Sequence, residues 1–362
     1  MTANAAAMVR AVLAAQTARR RVMRRLSEKQ ETNNMTQRAI SRRTFVAATG
    51  AIGLGGTHAM AQGPADAYPS QLIRMVVPYP AGGATDILGR MMAVKLAQAW
   101  GQTVIVDNRP GASGTIGNDV VAKATPDGYT VLLAITAIVQ VPALMPKLPY
   151  DVLKDLQPTA LVASTNSVLV VPKSTPARTL QEFVTLVKAS PGKYNYGSYG
   201  VGTSSHIQGS LLNMQAGLDL VHVPYKGAAP LLQDLRGSQL SAALIDMATV
   251  RPHLDSLTAL AVTGTQRNKL LPDVPTFAEL KFHSFEPVGW FGLFLPAGVP
   301  PPIARKLSDE SNRILHMPDV IEKIEGLGMA PGGVATDKFE RTVRDDAAVY
   351  AKIIRDANIR LD

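Results

Sequence analysis

The most informative absence in this 362-residue chain is cysteine, of which it has none. A chain without cysteine forms no disulfides and offers no thiol nucleophile or thiolate metal ligand. Cross-links are not needed at this size, because 46% hydrophobic residues can bury one or two ordinary cores. The composition therefore predicts a globular protein that is held together by its own core.

Enzyme signatures are also missing. The chain has no G-x-x-x-x-G-K-[ST] phosphate loop, no G-x-G-x-x-G after a strand, no H-E-x-x-H and no G-x-S-x-G. Its six histidines lie at no metal-like spacing, so we predict no metal, no cofactor and no catalytic activity. A hydrolytic pair of His206 with Ser204 or Ser205 is conceivable, although neighbours in one helical turn rarely face each other.

The positive charge is confined to one end of the chain. Of the formal net charge of +9, residues 1–62 hold 10 Lys and Arg against 2 Asp and Glu, and the remaining 300 hold 27 against 26. We therefore expect no nucleic-acid partner. No later segment has the run of about 20 apolar residues that crosses a bilayer.

The basic N-terminal segment has the pattern of an export signal. The sequence SRRTF at 41–45 precedes a mildly apolar run at 46–60, and AMA at 59–61 resembles a cleavage site. This predicts a twin-arginine-type signal peptide over 1–61, with an extended basic region, cleavage near Ala61 and a periplasmic product. Secreted or surface-held forms, and a basic tail that is not a signal, are the alternatives. Translation from Met35 would give a compact signal.

The rest of the chain alternates β-rich runs with helical patterns, which predicts an α/β architecture. One series has the strands IRMVVPY, TVIVDN and GYTVLLAIT, and a second has NSVLVVP, YNYGSY, LVHVPY, SAALID and LTALAVTG. VGWFGLFLP gives one more strand, and helices are predicted at 302–315, 319–327 and 337–357. Two series indicate two lobes, with a ligand cleft beyond the carboxyl ends of the strands.

Four loops share one design, in which a strand ends, glycines follow and a helix begins. They are PYPAGGATD, NRPGASGT, GSYGVGTSSH and PYKGAAP. The N-terminus of a helix has unpaired N–H groups and a partial positive charge, so four such loops predict a carboxylate or phosphate ligand.

The side chains in these loops also have structural interpretations. Asp86 is as good a helix N-cap as a ligand contact, and Thr203 and Ser204 are natural caps too. His206 fits a packed histidine or a ligand contact. Tyr225 and Lys226 fit either an exposed surface or the rim of a cleft.

Together these motifs, with VHVPYKGAAPLLQDLRG, LAVTGTQRNKLLPDVPTFAEL and GWFGLFLPAG, resemble the Bug family, the TctC-like extracytoplasmic receptors of tripartite tricarboxylate transporters. The likeness runs from about residue 68 to the C-terminus. It implies a two-lobed periplasmic-binding-protein fold (type II-like), each lobe a mixed sheet flanked by helices. The first lobe would comprise 68–166 and 288–362, and the second 167–287.

The resemblance also implies a set of ligand-binding residues, which falls on two facing loops, the rim of the second lobe and two positions after strands. In chain order these residues are Tyr79, Gly82, Gly83, Ala84, Thr85, Asp86, Thr136, Ser198, Gly200, Gly202, Thr203, Ser204, His206, Tyr225, Lys226 and Asp246.

One segment departs from the family pattern. Family members commonly have polar residues after the third strand, whereas this chain has AITAIVQVPALMP, with Ala137, Ile138 and Val139 between Thr136 and Gln140. A more apolar wall would favour an acid with a less polar distal group, such as an aromatic or alkyl acid.

The resemblance implies a receptor that binds a small carboxylate between its lobes and delivers it to the membrane components of a tripartite tricarboxylate transporter. A sensor that docks on a regulatory membrane protein is the alternative, and a periplasmic enzyme is the third. We expect a monomer.

Overall fold

The computed structural model of the protein describes residues 68–145, 147–285 and 288–360. The predicted signal peptide and its cleavage site lie outside these residues. None of the helices within the described ranges is long and apolar enough to cross a membrane.

Two mixed sheets form the framework. The first has the order β11-β4-β10-β3-β1-β2 and the second has the order β7-β6-β8-β5-β9. The strands of the first sheet are β1 (Ile73–Val77), β2 (Val104–Asn108), β3 (Thr130–Ile135), β4 (Leu156–Thr165), β10 (Gly289–Pro296) and β11 (Ala330–Pro331). The strands of the second sheet are β5 (Ser167–Pro172), β6 (Asn195–Ser198), β7 (Val221–Pro224), β8 (Ala242–Asp246) and β9 (Leu257–Val262).

Helices accompany both sheets. In chain order they are α1 (Ala84–Trp100), α2 (Thr115–Ala122), α3 (Ala137–Leu144), α4 (Val152–Asp155), α5 (Leu180–Lys188), α6 (Ser204–Ala216), α7 (Ala228–Arg236), α8 (Met247–Val250), α9 (Pro301–Leu315), α10 (Pro318–Gly326) and α11 (Thr336–Asp356). This is the two-lobed α/β fold that the sequence predicts.

Each sheet is parallel over the three strands at one edge and antiparallel beyond them. β1 pairs in parallel with β2 and β3, whereas β10 pairs antiparallel with β3 and β4. Likewise β6 pairs in parallel with β7 and β8, and β5 pairs antiparallel with β8 and β9. Parallel neighbours require crossover helices, which the alternating sequence pattern supplies.

The chain passes between the sheets at Asn166, which separates β4 from β5. Its side-chain amide donates to the carbonyl oxygen of Thr263 at 2.5 Å, and its oxygen accepts from the amide of Asn268 at 3.1 Å. These bonds fix the point where the two sheets meet. The predicted lobe boundaries at 166/167 and 287/288 stay a prediction.

The C-terminal helix α11 completes the core of the first lobe. Phe339 on this helix is fully buried and packs edge-on against Trp290, with 5.4 Å between the ring centroids. A Cβ atom at Gly292 of β10 would lie 2.2 Å from the Phe339 ring, so only glycine permits this close approach. The aromatic contact places Trp290, at the start of β10, next to the region between the sheets.

Candidate functional site

An enclosed cavity lies where the strands of both sheets end. Its volume is about 60 Å³, which is enough for several waters or a small molecule. The residues that line it are Tyr79, Pro80, Gly83, Ala84, Thr85, Ile135, Thr136, Thr165, Ser167, Tyr199, Ser204, Ser205, Ala228, Asp246, Gly289, Trp290 and Phe291.

Four helices of eight or more residues begin at this cavity. The first residue of α1, α6 and α7 and the residue before α3 all line it, namely Ala84, Ser204, Ala228 and Thr136. The first N–H groups of a helix have no partner inside the helix, and its dipole adds a partial positive charge. Within the lining just named, no side chain is Lys, Arg or His. The site therefore favours an anionic group through backbone amides and hydroxyls.

The two lobes are in contact around the cavity. Gln140 of α3 pairs its side-chain amide with the hydroxyl of Ser204, the amide nitrogen lying 2.9 Å from Oγ and the amide oxygen 3.1 Å from it. The hydroxyl of Ser113 donates to the carbonyl oxygen of Val201 at 2.6 Å. These bonds hold the lobes together over the cavity, so the structure is a closed form.

The glycine loop of the first lobe is fixed by Asp86. One oxygen of its carboxylate accepts from the amide of Gly82 at 3.0 Å and from Arg90 at 2.9 Å, and the other accepts from Asn108 at 3.0 Å. Burial opposes ionisation, but these bonds outweigh it and lower the pKa of Asp86. Asp86 is the third residue of α1 and reaches back to the loop, so it ties the loop to the helix.

The facing loop of the second lobe, GSYGVGTSSH, is stabilised by hydrogen bonds among its own residues. The hydroxyl of Thr203 donates to the carbonyl of Gly200 at 2.7 Å, and the hydroxyl of Ser198 donates to the same carbonyl at 3.2 Å. The amide of Gly202 donates to Nδ1 of His206, a buried ring that stacks on His222 at 4.3 Å between centroids. These contacts orient the start of α6 toward the cavity.

Comparison with known proteins identifies the family. The model of the tripartite tricarboxylate transporter family receptor matches residues 88–359. The protein belongs to this receptor family.

Solved structures of relatives agree. The periplasmic binding protein BugD is 31% identical with a TM-score of 0.77, covering 81% of this chain and 99% of its own. A Rhodopseudomonas palustris protein solved with adipate is 30% identical with a TM-score of 0.78, covering 81% and 99%. MatC from the same organism, solved with malate, is 30% identical with a TM-score of 0.76, covering 79% and 100%. The Bug-family resemblance is thus confirmed, and this family's fold is that of solute-binding receptors.

Seven of the sixteen residues predicted for this receptor's ligand site line the cavity. They are Tyr79, Gly83, Ala84, Thr85, Thr136, Ser204 and Asp246. The other residues of the two loops do not line the cavity: Gly82 and Asp86 in the first, and Ser198, Gly200, Gly202, Thr203 and His206 in the second. Contact with a ligand stays a prediction for all sixteen.

The predicted rim residues lie outside the cavity lining. The hydroxyl of Tyr225 donates to the carboxylate of Asp234 at 2.6 Å, and Lys226 is exposed. Desolvation, helped by the bond to Asp234, raises the pKa of Tyr225 to about 12. Neither side chain forms part of the enclosed wall.

The apolar wall comes from other residues than those we predicted. Ala137, Ile138 and Val139 are buried in α3 and do not line the cavity, and Ile138 and Val139 pack into a hydrophobic core cluster instead. The apolar lining comes instead from Ile135, at the end of β3, and from Trp290 and Phe291.

Sequence reasoning missed further lining residues. Thr165 and Ser167 flank the crossing point at Asn166, and a polar STNS run between two apolar strands was the available signal. Tyr199 and Ser205 belong to the GSYGVGTSSH loop, and Trp290 and Phe291 to the GWFGLFLP strand. Their orientation toward the cavity depends on how the two sheets face each other, which no local pattern records.

Proposed function

We propose that this protein is an extracytoplasmic receptor that binds a small organic carboxylate between its lobes and delivers it to a tripartite tricarboxylate-type transporter. The convergence of four helix N-termini on one enclosed cavity carries the proposal, because a carboxylate accepts hydrogen bonds from such amides without a Lys or Arg. The relatives solved with adipate and malate support the same ligand class.

The body of the ligand lies in this proposal against Ile135, Trp290 and Phe291. Apolar surface of this kind stabilises an alkyl or aromatic group more than a second ionised group. Thermal-shift screening with carboxylic acids tests this preference. Stabilisation only by compact, highly polar acids such as citrate would contradict it.

Delivery requires export, which we assign to the twin-arginine-type signal over 1–61. Replacing Arg42 and Arg43 together by lysine keeps the charge but removes the motif. We expect the double variant to accumulate unprocessed in the cytoplasm while the wild type is recovered from the periplasm. Periplasmic recovery of both would contradict the assignment.

Two experiments test the receptor function. Mass spectrometry of compounds released from gently purified protein should identify an unchanged carboxylate. Deletion of the gene should then abolish uptake of that acid, because closure on the ligand creates the surface that the transporter recognises. Normal uptake with a lost transcriptional response would instead indicate a sensor, and recovery of a converted product would indicate an enzyme.

A further inference from the structure

Asp246 is the one charged side chain among the cavity-lining residues that the structure describes. It is the last residue of β8, and 8% of the residue's surface is exposed. A buried carboxylate is costly unless a cation or several hydrogen bonds compensate it. In a site that otherwise favours an anion, this acid calls for an explanation.

The hydrogen bonds of Asp246 come from neutral groups. One oxygen accepts from the backbone amide of Thr249 at 2.9 Å. The other accepts from the hydroxyls of Tyr199 at 2.8 Å and Thr249 at 2.9 Å. Among the ion pairs of the described residues, none includes Asp246, so its negative charge has no cationic partner in this part of the chain.

Capping of α8 explains only part of this arrangement. The two bonds from Thr249 are those of an N-cap, and an asparagine or serine would serve that purpose as well. The cap does not require Tyr199, and it does not require a full negative charge on the cavity wall. Burial raises the pKa of Asp246, although its hydrogen bonds oppose this, so a nearby cation would relieve a real cost.

Asp246 and Tyr199 have unused hydrogen-bond acceptor positions but no unused donor. The hydroxyl of Tyr199 donates to Asp246 and accepts from the backbone amide of Asp246 at 2.8 Å, which uses its single proton. A carboxylate has about four acceptor positions, of which three are used here. Toward the cavity, Asp246 and Tyr199 can therefore only accept.

We propose that Asp246 and Tyr199 form an acceptor subsite that selects a carboxylic acid carrying a protonated amine. The inference rests on the proposed function, because it assumes that the ligand's carboxylate lies at the helix N-termini. The ammonium group then neutralises Asp246 and fills the remaining acceptor positions. A ligand with a second carboxylate at this point would be repelled by Asp246.

Isothermal titration calorimetry with paired acids tests the inference. Each pair consists of an amino acid and the acid that lacks only the amine: alanine with propionate, glutamate with glutarate, and phenylalanine with 3-phenylpropionate. For the wild type we expect the amino member of the best-binding pair to bind at least tenfold more tightly. Equal binding, or tighter binding of the acid without the amine, would overturn the inference but leave the receptor function standing. If no acid of any pair binds, both the inference and the proposed function fail.

Two variants separate recognition from capping. Asp246→Asn keeps a cap but removes the charge, so the amine preference should fall to about onefold. Tyr199→Phe removes the second acceptor of the subsite but keeps the charge of Asp246, so the preference should fall by less than in Asp246→Asn. A purely structural role would weaken both members of a pair equally in both variants, which would overturn the proposal. If Asp246→Asn does not fold, Tyr199→Phe alone decides by the direction of the change.

Discussion

At the scale of single residues, the contacts of Asp86 indicate whether this side chain supports a binding loop or contacts the ligand. The side chain is 5% exposed and its oxygens are engaged by Gly82, Asn108 and Arg90, so none faces the cavity. Arg90 is half exposed and its charge is screened, so the buried bonds to Gly82 and Asn108 matter most.

We therefore expect Asp86→Asn to lower the free energy of unfolding by about 1.5–3 kcal/mol, the range for hydrogen bonds to charged groups. The Kd for the carboxylate should remain nearly unchanged. Urea denaturation and calorimetry measure the two quantities. Asp337→Asn is the control, because its ion pair with Arg341 is exposed on both sides and should contribute little to stability. A large loss of affinity with unchanged stability would show that Asp86 contacts the ligand.

The same carboxylate predicts a pH dependence with a definite sign. Because the pKa of Asp86 is lowered in the folded protein, its stabilising effect is present above the unfolded pKa of about 3.9 and is lost as the pH falls through the folded pKa. The difference in unfolding free energy between wild type and Asp86→Asn should be constant near neutral pH and shrink below about pH 4. Denaturation series at several pH values check this, and a difference that grows on acidification would contradict it.

At the scale of secondary-structure elements, we expect closure to depend on contacts between α3 and α6. Gln140 is fully buried and spans the lobes through Ser204, the first residue of α6. We expect Gln140→Leu to weaken ligand binding about 2- to 10-fold, since a net hydrogen bond contributes about 0.5–1.5 kcal/mol to the closed form.

Gln215→Leu is the matched control for this change. Gln215 also lies on α6 and makes two hydrogen bonds, but both go to the backbone of His283 within the second lobe. It should lower stability and leave affinity intact. Calorimetric titration of both variants measures the affinities. Equal affinities for Gln140→Leu and wild type would show that the bonds between Gln140 and Ser204 do not contribute to closure.

Elements with strong local signals were predictable, and those defined by tertiary pairing were not. The last three helices begin and end within about one residue of the predicted bounds, because their apolar periodicity and leading prolines are local features. β4 was missed, since Pro158 argues against a strand in the interior of a sheet and this strand forms by pairing with β10. The short helix α3 was missed for a related reason, because its uniformly apolar sequence shows no helical period. The same holds for the binding site. The sequence predicted its glycine loops, which have local signals, but not strand residues such as Thr165 and Phe291.

At the scale of the whole molecule, we expect binding to be coupled to the approach of the two lobes. Gly227, at the start of α7, has a φ of +146°, and a Cβ atom there would lie 2.8 Å from Cδ of Pro80 in the opposite lobe. The proline ring is rigid, so an added methyl group must hold the lobes apart or strain them. Overpacking of this kind costs about 1–3 kcal/mol.

We expect Gly227→Ala to weaken carboxylate binding by about 5- to 150-fold, because the cost falls on the closed form that binds the ligand. Gly217→Ala is the control: its φ of +59° also strains an alanine, but nothing lies within 4 Å of the added atom. It should cost about 1–2 kcal/mol of stability and leave affinity unchanged. Small-angle scattering with saturating ligand should show compaction of the wild type and of Gly217→Ala, and less compaction of Gly227→Ala. Full affinity and full compaction of Gly227→Ala would mean that the lobes close on the ligand without the close contact between Gly227 and Pro80 described here.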